Sequence, residues 1–206
     1  MQERARRTRE ELVAAMQQSI HQRGVTRTSI SEVLAATGAK KGSLYFHFAD
    51  KDELALAALQ RAAEDFAAFT ENHLQGDGPA HQLRAFLEAI RQMHRDTDFV
   101  RGCLFGNTAL ETADDDPRYR ELLRDVFEGW VGRLTVVVAE AQARGEVRSD
   151  LAPEALARQV VTAVEGGVMQ ARLWRSEKPL AESLTTLETL MGLAPAPLGE
   201  EVTNHG

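Results

Sequence analysis

Apolar residues recur every three or four positions along almost the whole chain, the spacing of one face of an α-helix. Leu12, Met16 and Ile20 begin this pattern, and glycine, proline and capping signals separate the later stripes. The clearest linker is Gly76-Asp-Gly-Pro79. Residues 135–138 alone resemble a strand, but the surrounding period is helical. The sequence therefore predicts an all-α protein of about nine helices.

The composition excludes several classes of protein. The chain has 206 residues, 43% of them hydrophobic, which is enough for a packed core. It contains no run of roughly 20 apolar residues, so we expect no membrane contact, and its N-terminus lacks the apolar region of a secretory signal. Cys103 is the only cysteine, which rules out an intramolecular disulfide and a four-cysteine metal site. The expected compartment is the cytoplasm.

Positive charge is concentrated at one end of the chain. Residues 1–51 contain nine Lys or Arg and five Asp or Glu, a net charge of +4, so the remainder carries −11 of the total of −7. Such asymmetry favours a polyanionic partner for the N-terminal part.

Two short helices are predicted within this basic part. Ser29-Ile-Ser-Glu32 fits a capping box for the first of them, although Thr28 is an equally plausible cap. Gly38 separates this helix from the next. The second helix carries small and cationic residues suited to base edges, followed by groups that can donate hydrogen bonds to phosphates. The pattern predicts a helix-turn-helix whose candidate DNA contacts are Ser29, Lys40, Lys41, Gly42, Ser43, Tyr45, His47 and Lys51.

Residues 24–54 resemble the DNA-binding domain of TetR/AcrR-family repressors. The similarity rests on Gly24-x-x-x-Thr28-Ser-Ile-x-Glu-Val, Gly38-x-x-Lys-Gly42-Ser-Leu-Tyr45-Phe-His47-Phe and Lys51-x-x-Leu54. It implies a homodimer that binds a palindromic double-stranded DNA operator and is released by a small-molecule effector. It also implies that Thr28 and Lys51 contact phosphates. Leu44, Phe46 and Phe48 match the packing positions of the family.

The resemblance divides the chain into three parts. Residues 1–51 form the DNA-binding domain, residues 52–194 bind the effector and dimerise, and residues 195–206 are expected to be a disordered tail. Residues 101–111 and 165–167 resemble a C-terminal subgroup that includes repressors responding to small electrophiles or unsaturated acids. Small residues around 165–171 and the stripe 180–191 either form an intersubunit four-helix bundle or only close the core of the monomer.

The expected effector site is an apolar pocket with a few polar anchors. Glu111 and Glu165 stand on otherwise apolar helices, where a buried carboxylate needs a partner, either a ligand or an arginine such as Arg172. The candidate lining residues are Phe86, Met93, Phe99, Cys103, Phe105, Asn107, Glu111, Phe127, Trp130, Glu165, Met169 and Trp174.

Cys103 permits an alternative mechanism. At a predicted helix start with Arg101 nearby, its thiol is a candidate sensor of electrophiles or oxidants, provided that these neighbours favour the thiolate. A buried lone cysteine is otherwise an inert small hydrophobe.

Two further classes of function remain as alternatives. An enzyme in the helical domain would use Glu111, Glu165 or Cys103, but no phosphate-binding loop, metal-ligand spacing or activated nucleophile supports it. A helical scaffold would dimerise without binding DNA. We therefore expect no enzymatic activity, no cofactor and no metal, and the sequence does not choose between repression and activation.

Overall fold

The computed structural model describes residues 2–193, so the predicted tail at 195–206 lies outside the described residues. The described part is helical throughout and contains no strand. It comprises nine α-helices: α1 (Gln2–Arg23), α2 (Ile30–Thr37), α3 (Lys41–His47), α4 (Lys51–His73), α5 (Pro79–Arg95), α6 (Leu104–Thr112), α7 (Pro117–Ala143), α8 (Pro153–Trp174) and α9 (Lys178–Met191). The predicted all-α class and helix number are confirmed. We call α1–α3 the headpiece and α4–α9 the body.

The capping signals fix the helix boundaries. Ser29 caps α2 in a reciprocal capping box with Glu32, as predicted. Asp50 caps α4 by accepting a hydrogen bond from Glu53 N (2.7 Å), but Glu53 reaches back to the N–H of Ala49 rather than to that of Asp50. Gly38 ends α2 in the left-handed region (φ +68°), where glycine is favoured. Local hydrogen bonds therefore define where α2 and α4 begin and where α2 ends.

Two clusters of buried apolar side chains form the interior. One joins the headpiece to the first half of α4 and also includes Phe105, Tyr119 and Trp130 from the body. The other lies among α5, α7, α8 and α9. The Tyr119 hydroxyl also donates to Asp52 Oδ1 (2.9 Å), which ties α7 to the start of α4. Headpiece and body therefore share part of one core.

Gly167, one of the small residues of α8, packs against α9 of the same chain. A Cβ on Gly167 would lie 2.9 Å from Leu180 Cδ1, so glycine permits the close approach of α9. Ala171 and Leu184 are buried on the same side. The predicted stripes contribute to the core of the monomer. The intersubunit four-helix bundle stays a prediction. The outer side of this helix pair carries exposed Met169, Leu173, Trp174 and Leu190.

Candidate DNA-reading surface and effector cavity

The outer surface of α3 displays most of the predicted DNA contacts. Lys40, Lys41 and Gly42 are exposed, Tyr45 is 48% exposed, and Ser43 and His47 are half-buried. A Cβ on Gly42 would meet no atom within 4 Å, so the backbone at the start of α3 is open to an approaching partner. Lys41 Nζ lies 5.8 Å from the centre of the Tyr45 ring. We call Lys40–Ser43, Tyr45 and His47 the α3 surface.

Three predicted contacts have other roles in the structure. Thr28 is only 2% exposed and its hydroxyl donates to Gly24 O (2.7 Å), so it has a role within the turn, and the implied phosphate contact stays a prediction. The hydroxyl of Ser29 caps α2 by accepting a hydrogen bond from Glu32 N. Lys51 Nζ donates to Val25 O (2.9 Å), which holds the turn between α1 and α2. These residues build the headpiece.

The packing role expected for Phe46 is also wrong. Leu44 and Phe48 are buried, as predicted, whereas Phe46 is 78% exposed. Its ring stands edge-on to that of His47, with 5.0 Å between centroids. An aromatic side chain this exposed beside the α3 surface extends the area available to a partner.

A cavity of about 290 Å³ lies where the headpiece meets the body. α1 contributes Gln17 and His21, and the rest of the wall comes from α4, α5, the loop before α6, α6, α7 and α8. Aromatic rings dominate the wall: the Trp130 ring centre lies 4.8 Å from that of Phe66 and 5.4 Å from that of Phe105. The arrangement suits a small, largely apolar molecule.

Five of the twelve predicted effector residues line this cavity: Met93, Cys103, Phe105, Trp130 and Glu165. Phe86 lines a smaller void that shares Trp130 and Glu165 with the cavity. Phe127 packs edge-on against Trp130, with ring centres 4.7 Å apart, and supports that wall from outside.

The other five predicted residues lie elsewhere. Phe99 is buried in the body core. Asn107 donates to Arg101 O and accepts from Arg172, so it organises the loop before α6. Glu111 receives hydrogen bonds from the backbone of Val25 and Thr26. Met169 and Trp174 are 55% and 65% exposed on the outer side of α8. The apolar pattern identified these positions, but it did not give the direction in which each side chain points.

Twelve wall residues are not among the predicted ones: Gln17, His21, Ala62, Asp65, Phe66, Phe69, Ile90, His94, Thr97, Gly102, Leu104 and Val164. Phe66 and Phe69, two aromatics three residues apart on the alanine-rich α4, were a detectable signal. Gln17 and His21 were not, because they lie on a helix assigned to DNA binding.

Burial shifts the pKa values of three titratable groups of the cavity, His21, His94 and Glu165, towards their uncharged forms. Burial lowers the pKa of His21, and the charges of Arg101 and Arg172 lower it further, against the Gly102 carbonyl, which lies 3.4 Å from Nε2. Burial and the neighbouring His21 lower the pKa of His94. Burial raises the pKa of Glu165, although a hydrogen bond with Cys103 acts in the opposite direction.

The thiol of Cys103 is not activated. Burial and the adjacent Glu165 raise its pKa far above the ordinary value, and the hydrogen bond from the N–H of Gly106 does not compensate. Cys103 does cap α6, as its expected place at a helix start required, with Sγ accepting from Gly106 N at 3.3 Å. The expectation that the helix start and Arg101 favour the thiolate is therefore wrong for this structure.

Within residues 2–193, no group of three His, Cys, Asp or Glu side chains is arranged to hold a metal ion. None of the helices in that part of the chain combines the length and apolarity needed to cross a membrane.

Two family models match the chain and together cover most of it. Residues 10–58 match the model of bacterial regulatory proteins of the tetR family, and residues 79–187 match the tetracyclin repressor-like C-terminal domain. The chain belongs to the TetR family. It is a DNA-binding transcriptional regulator.

Curated relatives support this membership of the TetR family. The transcriptional repressor DhaR of Mycobacterium sp. (strain GP1) is 30% identical over 201 residues, which cover 96% of each chain. The transcriptional regulator AcuR of Cereibacter sphaeroides is 31% identical over 171 residues, which cover 82% of this chain and 78% of AcuR.

Solved structures of the TetR family share the fold. A regulator from Chloroflexus aurantiacus superimposes with a TM-score of 0.82 at 34% identity, over 91% of this chain and 95% of its own. A regulatory protein from Rhodobacter sphaeroides also gives a TM-score of 0.82, at 28% identity, over 88% and 97% of the two chains.

Proposed function

We propose that this TetR-family protein is a ligand-responsive repressor that binds a palindromic operator as a homodimer and is released by a small-molecule effector. The observation that carries the proposal is the position of the cavity. Its wall includes Gln17 and His21 of the headpiece as well as five helices of the body. An occupant of this cavity therefore contacts both the DNA-binding and the sensing parts of the chain.

Release follows from linkage. His21 of α1 contacts Gly102, in the loop before α6, with 3.4 Å between Nε2 and the carbonyl oxygen. A molecule that requires a different spacing of these two elements binds better to a second conformation of the protein. If that conformation docks poorly on DNA, effector and operator weaken each other's binding, with coupling typically of about 1–3 kcal/mol.

The effector we propose is small, largely apolar and uncharged. Aromatic rings cover much of the wall, and the pKa values of His21, His94 and Glu165 are shifted towards the neutral forms. Burying a charged group costs hydration free energy, and the apolar part of the wall does not restore it, which favours an uncharged molecule. Exposed Asp65 and Thr97 lie at the wall, where the cavity reaches the surface.

Dimerisation is proposed through the outer side of α8 and α9. Met169 and Leu173 are exposed one turn apart on α8, and Trp174 and Leu190 are further exposed apolar residues of the helix pair. Large apolar side chains exposed on a protein surface are typical of an interaction site. Two copies related by a twofold axis would present two α3 surfaces to successive major grooves. In this proposal residues 1–51 bind DNA and residues 52–194 bind the effector and dimerise.

Operator selection tests the proposal. Purified protein is incubated with a library of random duplexes, and bound DNA is enriched over several rounds. We expect a palindromic consensus and, if four phosphates are neutralised per subunit, a slope of log affinity against log salt near about −7 for the dimer. Enrichment of no sequence, or a slope near zero, would contradict the proposal.

The effector is then sought by thermal shift with a panel of small aromatic and aliphatic compounds, neutral and charged. Neutral compounds should raise the unfolding temperature, and those that do so should displace the selected operator. Stabilisation by charged compounds alone would contradict the proposed effector class.

A further inference from the structure

The carboxylate of Glu111 accepts hydrogen bonds from the turn that connects α1 to α2. Its Oε1 accepts a hydrogen bond from Thr26 N (2.6 Å) and its Oε2 accepts one from Val25 N (2.9 Å). Glu111 belongs to α6 of the body, whereas the turn belongs to the headpiece. One side chain thus satisfies two backbone donors across 85 residues of sequence.

Gly24 and Lys51 are both fitted to this contact. A Cβ on Gly24 would lie 2.5 Å from Glu111 Oε2, and Gly24 has φ +86°, so glycine both turns the chain and leaves room for the carboxylate. Lys51 Nζ holds the same turn at Val25 O (2.9 Å). Partial burial acts to raise the pKa of Glu111, but the hydrogen bonds from Thr26 and Val25 and the charge of Lys51 outweigh it, so the pKa is lowered.

The opposite end of α6 faces the cavity. Gly102, Cys103, Leu104 and Phe105 form part of the cavity wall. The helix spans nine residues, about 13 Å at the helical rise of 1.5 Å per residue. A short rigid helix therefore has one end in the wall and the other on the turn that precedes α2 and α3.

We propose that Glu111 is a positioning residue that couples the state of the cavity to the orientation of the helix-turn-helix. This inference rests on the proposed function and specifies the route of its regulation. A displacement of the start of α6 by an occupant moves Glu111, and Glu111 carries the turn at Val25 and Thr26 with it. The reverse also holds, because coupling between two binding sites is reciprocal.

The reciprocal direction provides a test that needs no effector. The probe is the duplex selected by the wild-type protein, and the readout is hydrogen–deuterium exchange of the cavity-wall segment 97–105, with and without saturating duplex. The test variant is Glu111→Gln, which removes the charge and turns one accepting oxygen into a donor. The matched control is Asp114→Asn, which makes the same charge change at an exposed position.

We expect the duplex to change exchange in segment 97–105 of the wild type and of Asp114→Asn. In Glu111→Gln this change should be lost, and the affinity for the duplex should fall about tenfold because charge-assisted hydrogen bonds to the turn are missing. Exchange at Val25 and Thr26 should rise in the absence of DNA. Circular dichroism establishes that each variant is folded.

A second variant approaches the contact from the other side. Gly24→Ala places a methyl group against Glu111 Oε2 and should reproduce the loss of coupling. If Glu111→Gln retains the change in segment 97–105, or if the wild type has none, the inference is wrong while the proposed function stands. If the wild type selects no duplex, the proposed function fails, and the inference fails with it.

Discussion

The α3 surface and the cavity differ in the environment that they give to charged side chains. At the start of α3 the side chains of Lys40 and Lys41 are exposed, and Lys40 makes no side-chain hydrogen bond that caps the helix. In the cavity, burial shifts the pKa values of two histidines and of Glu165 towards their neutral forms. The two regions thus differ in how strongly their environment favours the charged forms of the side chains.

The difference separates the two recognition tasks. Attraction to a polyanion needs solvated cations at the surface and depends on salt. A buried site for a small molecule gains most from apolar contact and from polar groups that need no counter-charge. The +4 charge of residues 1–51 and the −11 charge of the remainder fit this division.

Reversing charge on the α3 surface should have the largest effect. Lys40→Glu/Lys41→Glu should weaken binding to the selected operator by about 100-fold and make the salt slope shallower, because two cations near phosphates are replaced by anions. Fluorescence anisotropy at several salt concentrations measures both quantities. Arg124→Glu, a charge reversal at an exposed position of α7, is the control and should change the affinity for the operator much less. Equal losses in both variants would mean that only net charge matters.

Introducing a charge on the outer side of α8 should have the next largest effect. Leu173→Asp should convert the proposed dimer to monomer and weaken operator binding by about 30-fold, since the second half-site no longer benefits from linkage to the first. Sedimentation velocity and anisotropy measure the two results. Val136→Asp makes the same kind of change at an exposed apolar residue of α7 and should leave the dimer intact. If Leu173→Asp is still a dimer, the outer side of α8 is not the dimer interface.

The raised pKa of Cys103 predicts that its thiol reacts slowly with alkylating reagents. Cys103 should react with iodoacetamide at pH 7.5 about tenfold more slowly than free glutathione, because burial and Glu165 raise its pKa and leave little thiolate. Mass spectrometry follows the rate, and unfolding in urea should restore ordinary reactivity. A folded protein that reacts as fast as glutathione would revive Cys103 as an electrophile sensor.

The smallest effect concerns an ion pair that holds α9 to α5. Arg95 and Arg91 donate to the Glu177 carboxylate and lower its pKa to about 2. Since the folded pKa is below the ordinary value of 4.5, the contribution to stability is present above about pH 4.5 and is lost as the pH falls towards 2. Glu177→Gln should cost about 1 kcal/mol of unfolding free energy at pH 7, because the partners are partly solvated.

Urea titrations at pH 7 and pH 3 measure this difference. The gap between Glu177→Gln and the wild type should be smaller at pH 3. Glu182→Gln, a change at the exposed partner of Lys178 on α9, is the matched control. A gap that does not depend on pH would assign the effect of Glu177 to packing.

Residues with local roles were predictable, and residues with long-range roles were not. The Ser29–Glu32 capping box, Gly38 and the buried Leu44 and Phe48 follow from neighbours within a few positions. The role of Glu111 did not, because this residue is engaged by a turn 85 residues away. Met169 and Met93 have the same chemistry, yet only Met93 faces the cavity.

The sequence by itself determined the helices, their boundaries, the helix-turn-helix and the family, because these depend on periodicity, capping and a dense local motif. Only the tertiary structure decided where the helices meet. It brought His21 of α1 to the wall of the cavity, turned Trp174 outward and placed Glu111 against the headpiece. Helical periodicity gives one apolar face per helix, but which neighbour covers each part of that face depends on the packing of the whole chain.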